Sequence, residues 1–189
     1  MNEQQRPRWR IYFTVLVLLA EIAHLAWEHF HGGIVSHHFL ARRDMPAISN
    51  AWGLILLPAL VWFLTGRLQK RLAKDAGLSA SRPTFPSSVI FAFAAALLFG
   101  VLLSTAFMNG YKDLTSYLFF GMLLSAVVLP VYRAECVLGF VLGMTFMFGT
   151  VLPTIVGSLI AAASAVLHCW VYPGVVRGVE LVQGHLAQI

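Results

Sequence analysis

The sequence predicts an all-α integral membrane protein, a polytopic bundle of six transmembrane helices with both termini cytoplasmic. Three observations carry that expectation. The chain of 189 residues is 59% hydrophobic and only 11% charged, outside the range of soluble globular domains. Several apolar runs reach the roughly 17–25 residues that a helix needs to cross a bilayer. The basic residues gather at the ends of those runs rather than in one continuous patch, so the net charge of +5 reads as a topology signal and no nucleic-acid partner is expected. Residues 1–189 therefore form a single transmembrane helical domain.

Taken in order, Arg6, Arg8 and Arg10 precede the apolar run 11–20 in the manner of a signal peptide. No small-x-small cleavage site follows, so the run is expected to stay as the first helix, about 10–31, ended by Gly32-Gly33. Residues 32–49 form a polar outer loop rich in histidine, in which Pro46 bars a regular helix. Ser49 or Asn50 caps a second helix, about 50–66, with Pro58 at its middle. Arg67, Lys70, Arg71, Lys74 and Arg82 then read as the most basic loop, leading to a third helix at about 87–108. A tight link, Asn109-Gly110-Tyr111-Lys112-Asp113, opens a fourth at about 114–131. The apolar residues that follow are too many for one span at about 1.5 Å per residue, and Pro153 is expected to divide them into helices 136–152 and 154–176. A five-span arrangement, with Pro153 inside one broken helix, is the alternative.

Six spans put the N-terminal arginines, the 67–82 segment, Arg133 and Arg177 on one side. By the positive-inside rule that side is cytoplasmic. The expected location is a multi-pass plasma membrane, a bacterial inner membrane with the histidine-rich loop facing the periplasm.

Chemistry concentrates in residues 21–50, which hold five of the seven histidines and, in Glu21, Glu28 and Asp44, three of the eight acidic residues. Glu21, His24, Glu28 and His31 are spaced 3, 4 and 3, so at about 100° per residue they share an arc of roughly 80° on one helix face. Ionisable groups inside a membrane are costly and normally face the bundle interior with partners. His29 points off this stripe, while His37, His38 and Asp44 follow in the loop and could fold back over its outer end. Imidazole and carboxylate donors suit a divalent metal, with zinc favoured and iron the other choice. The expected ligands are Glu21, His24, His31, His37 and His38, with Glu28 or Asp44 as general base toward metal-bound water.

The function expected from this pattern is a metal-dependent membrane enzyme, a hydrolase on a lipid or other apolar substrate. The expected partners are the lipid bilayer and that apolar or lipid substrate; the sequence leaves oligomeric state open. Three alternatives compete: a metal or proton transporter, a b-type haem protein using His24 and His168, and a non-enzymatic assembly protein whose polar cluster is structural. Cys136 and Cys169 lie in apolar segments without a CxxC and read as packed side chains. The faces Gly139-x-x-x-Gly143 and Gly157-x-x-x-Ala161 read as surfaces for close helix packing.

Overall fold

The computed structural model describes residues 8–38, 47–76 and 85–186. They form a helical bundle with one small β-ribbon. The helices are α1 (Arg8–Phe30), α2 (Gly53–Ala76), α3 (Ser87–Met108), α4 (Lys112–Val128), α5 (Ala134–Phe148), α6 (Val151–Val166) and α7 (Tyr172–Leu186). A π-helical turn, Leu167–Val171, joins α6 to α7 without a break. Among the described residues four helical stretches are long and apolar enough to cross a membrane: Arg8–Phe30, Asn50–Asp75, Ser87–Met108 and Val151–Arg177. The protein is membrane-embedded. Leu98, Phe120, Leu124 and Leu159 are more than half exposed, a surface that water would not tolerate but hydrocarbon solvates.

Contacts between named residues set the direction of each helix. Arg10, near the start of α1, reaches the middle and far half of α2, with Nη2 donating to the Trp62 carbonyl at 2.7 Å and Nη1 to Gln69 Oε1 at 3.2 Å. Its guanidinium also lies 4.2 Å from the Trp62 ring centroid, so a cation–π contact adds to the hydrogen bonds. The other end of α1 meets the start of α2, and the two helices are therefore antiparallel. α5 is antiparallel to α2 as well, because Glu135 at its first turn pairs with Arg71 at 2.7 Å.

α3 and α5 run parallel and pack backbone against backbone. A Cβ on Gly139 would strike the Phe93 carbonyl, and one on Gly143 the Leu97 carbonyl. A Cβ on Gly100 would in turn meet the Phe140 carbonyl at 2.7 Å. Small residues let the two axes approach until dispersion and Cα–H···O contacts replace side-chain packing. Around this pair the core holds Leu57, Val61, Leu103, Met122, Leu138 and Val141, with Val61 and Val141 fully buried. Buried hydroxyls are satisfied within their own helices: Thr65, Ser104 and Thr145 each donate to the carbonyl four residues back.

The structure moves three boundaries. α2 does not stop near residue 66; it continues to Ala76. Arg67, Lys70, Arg71 and Lys74 thus ride its last turns, and cations are favourable at a helix C-terminus. The division after α5 falls at Gly149, whose φ of 67° ends the helix, whereas Pro153 sits in the first turn of α6. A proline there sacrifices no hydrogen bond, since the first N–H groups of a helix have no intrahelical acceptor. The last helix runs on to Leu186.

Between α1 and α2, Ser36–His38 pairs antiparallel with Ala47–Ser49, with Ser36 opposite Ser49 and His38 opposite Ala47. Gly32 and Gly33, at φ 129° and 100°, turn the chain out of α1 as the sequence suggests. Ser49 caps the turn Asn50–Trp52 by accepting from the Ala51 N–H at 3.2 Å, which leaves Asn50 free for another task.

Candidate functional site

The helical phase of α1 brings Glu21, His24 and Glu28 onto one face, and that face packs on the beginnings of α2 and α6. His24 lies between the two carboxylates. Its Nε2 is 3.4 Å from Glu28 Oε1, and its Nδ1 is 3.9 Å from Glu21 Oε2. Phe146 of α5 stacks on the imidazole, with ring centroids 4.7 Å apart. All three polar side chains are withdrawn from the surface, being 3–10% exposed.

Glu28 is well held. Asn50 Nδ2 donates to its Oε1 at 2.7 Å and the Val35 N–H to its Oε2 at 3.1 Å. The Asn50 N–H in turn donates to the Val35 carbonyl at 3.0 Å. One carboxylate thus ties the end of α1, the start of the loop after it and the head of α2 together. Asn50 is itself buried, and Gly149 stands against it so closely that any Cβ there would strike Oδ1.

Glu21 is the less satisfied partner. It is 4% exposed, yet among the described residues its Oε1 has no hydrogen-bond partner, and neither has the buried hydroxyl of Thr150. Both oxygens flank the same glycine. A Cβ on Gly53 would overlap Glu21 Oε1 and stand 3.0 Å from Thr150 Oγ1. Two unpaired oxygens, one of them a hydroxyl that could also donate, converge on one buried point, which is uncommon because buried polar atoms are nearly always paired.

The structure thus assembles part of the expected set and leaves part of it apart. His31 lies beyond the last turn of α1, where Nδ1–H donates to the Trp27 carbonyl at 2.8 Å and the ring stacks on Trp27 at 3.7 Å. Asp44 and the side chains of His37 and His38 lie outside the described residues. Among the described residues no three His, Cys, Asp or Glu side chains are grouped to hold a metal ion. Asn50, Gly53, Phe146 and Thr150 are the participants that the sequence does not announce. Asn50 reads there only as a cap, and a single threonine in an apolar run carries no signal of its own.

His168 belongs elsewhere. Its Nδ1–H donates to the Ser164 carbonyl at 2.9 Å, and its ring lies 6.0 Å from that of Tyr132 and 5.0 Å from that of Tyr172. Tyr132 precedes α5 whereas Phe146, on which His24 stacks, is near its end. The two histidines are therefore about 20 Å of helix apart, too far to share one haem iron. Cys136 and Cys169 are free thiols. Asn109 Nδ2 donates to the Thr105 carbonyl of its own helix at 2.8 Å. No family model, curated protein or solved structure matches this chain.

Proposed function

We propose that the protein is a metal-dependent enzyme of the membrane whose centre is built on Glu21 and His24. Zinc is the favoured ion, and hydrolysis of a lipid or similarly apolar substrate is the favoured chemistry. The observation that carries this reading is the gap between Glu21 and His24. At 3.9 Å, Nδ1 and Oε2 are beyond hydrogen-bond reach, and closing that gap by about half an ångström would give the separation of about 3.4 Å that two tetrahedral ligands of one ion at about 2.0–2.2 Å have. Glu21 Oε1 and Thr150 Oγ1, both without partners among the described residues, supply further oxygen donors beside the gap.

Glu28 then takes a different role from the general base of the sequence reading. Metal-bound imidazoles usually direct their other ring nitrogen to a carboxylate, and Glu28 Oε1 faces His24 Nε2 at 3.4 Å. Its bonds from Asn50 and Val35 fix it there. Glu28 is a positioning residue in this scheme, and the base is left to Asp44. One of His37 and His38, successive residues of a strand and so on opposite faces of the ribbon, would complete the ligand set from the loop. An ion so held would polarise a carbonyl or phosphoryl oxygen and lower the pKa of bound water.

We further propose six spans, with the arginine-bearing ends of α1, α2 and α5 in the cytoplasm and the Glu21–His24 centre near the periplasmic face. The basic side chains Arg10, Arg67, Lys70, Arg71, Lys74 and Arg133 on the same end of the bundle support this orientation.

Elemental analysis of the purified protein beside Glu21→Gln and His24→Ala tests the metal. One zinc or iron per chain, lost in both variants, is the expected result. Wild-type protein devoid of metal, even after incubation with zinc, sinks the proposal. The competing reading is a structural polar network, favoured by the way Glu28 staples three segments; it expects those variants to lose stability with no metal to lose.

A further inference from the structure

At the opposite end of α5 from Glu21 and His24, a cavity of about 410 Å³ lies between α3, α4, α5 and α6. That size falls in the range of small-molecule sites, roughly 300–1,000 Å³. It exists because α3 and α6 present small residues toward it, among them Ala95, Ala96, Gly157 and Ala161, while Met122 and Phe140 wall its inner end. The lining is almost wholly hydrocarbon. The slot is half open, and water would find too few polar partners inside to fill it, so hydrocarbon is the natural occupant.

One charged group lines the cavity, Arg133. It is exposed at the N-terminus of α5 and its side chain makes no ion pair or hydrogen bond among the described residues. Neighbouring Arg71 differs, being engaged by buried Glu135 at 2.7 Å. From Arg133 to Phe140 the slot follows about 10 Å of helix, so it runs along the bundle axis with its guanidinium at the rim and hydrocarbon below. That is the polarity of a lipid: an anionic head at the surface and a chain directed toward the bilayer centre. Arginine also presents a planar fork that matches phosphate oxygens two at a time.

We propose that this slot binds one acyl chain of an anionic phospholipid, with the lipid phosphate held by Arg133. The site is separate from the proposed metal centre and stands whether or not a metal binds there.

Native mass spectrometry tests the assignment, on protein equilibrated in detergent with equimolar phosphatidylglycerol and phosphatidylethanolamine. Wild-type protein is expected to retain one phosphatidylglycerol with a preference of roughly tenfold over phosphatidylethanolamine. Arg133→Gln, at an exposed position, should abolish the preference while chains are still retained. Ala161→Phe should fill the slot and lose both lipids. Ala95→Phe is the second slot-filling variant, placed on the exposed side of α3, with helix content by circular dichroism as the control for folding. Equal retention of the two lipids by wild type overturns the proposal, as does undiminished retention in both slot-filling variants. Release of the bound lipid by inorganic phosphate alone would also overturn it, since the chain would then contribute nothing.

Discussion

Gly53 shows how a residue with no side chain can decide a site. Its hydrogen occupies the only room between the Glu21 carboxylate and the Thr150 hydroxyl, so Gly53→Ala must displace the carboxylate. The expected cost is about 1–3 kcal/mol, the usual penalty for overpacking, together with loss of whatever ion Glu21 holds. Thermal unfolding in detergent, followed by metal content of the surviving fold, checks both parts. Asn50→Ala acts from the other side of His24. It removes the Nδ2 donor from Glu28 and is expected to cost about 1–3 kcal/mol for an acceptor left short of its partner in a buried place. Unchanged unfolding temperature in Asn50→Ala would mean that the Val35 N–H suffices. The stripe Glu21–His24–Glu28 was legible in the sequence because helical periodicity alone brings residues three and four apart together. Asn50, Gly53 and Thr150 were not, because each reaches the cluster through tertiary packing. His31 was misleading for a local reason: α1 closes at Phe30, and past a helix terminus the 100° rule no longer directs side chains.

At the scale of elements, the α3–α5 contact depends on glycines that touch backbone rather than side chains. Gly143→Leu drives a branched side chain into the Leu97 carbonyl, and the two helices have to separate. A loss of at least 1–3 kcal/mol is expected, read as a lowered unfolding temperature, whereas Gly121→Leu on α4, where a Cβ meets open space, should be nearly silent. The Arg71–Glu135 pair joins α2 to α5 in a similar way. Glu135 is 2% exposed, so Arg71→Ala strands a buried carboxylate. The cost should be about 1–3 kcal/mol, below the roughly 3–5 of a wholly buried pair because Arg71 is partly in solvent. Adding Glu135→Gln should restore most of it; no restoration in the double variant would show that Arg71 acts through packing instead. Hydrophobic run lengths were enough to locate the helices. The end of α2 escaped them because Arg67, Lys70, Arg71 and Lys74 resemble a loop by polarity while their spacing of three and four suits a helix. Pro153 likewise suggested a break that a glycine with φ of 67° provides four residues earlier.

Across the whole molecule, the two ends differ in character. One carries the cationic turns of α2 and the rim arginine of the lipid slot; the other holds the acid–imidazole cluster under the β-ribbon. Single cysteines at Ser36 and Lys70, made in a background lacking Cys136 and Cys169, offer a direct check on orientation. A membrane-impermeant maleimide applied to intact cells is expected to label the cysteine at position 36 and not the one at 70. The reverse pattern would invert the topology and put the Glu21–His24 cluster in the cytoplasmic half.

The parallel pairing of α3 with α5 also constrains how the molecule is made. In the proposed six-span arrangement α3 enters the membrane before the helix that fits it exists, and α4, with Lys112 and Asp113 at its head, crosses back in between. Until α5 is synthesised, the backbone of α3 at Phe93, Leu97 and Gly100 lacks the glycine-bearing face it packs on, although Phe13 of α1 already meets the Phe93 ring. A chain ending after Arg133 should therefore integrate yet be degraded rapidly, and supplying residues 134–189 as a separate polypeptide should prolong its lifetime. Pulse-chase measurement of the fragment, alone and with that companion, gives the answer. Assembly order, on this account, is written into the direction of two helices.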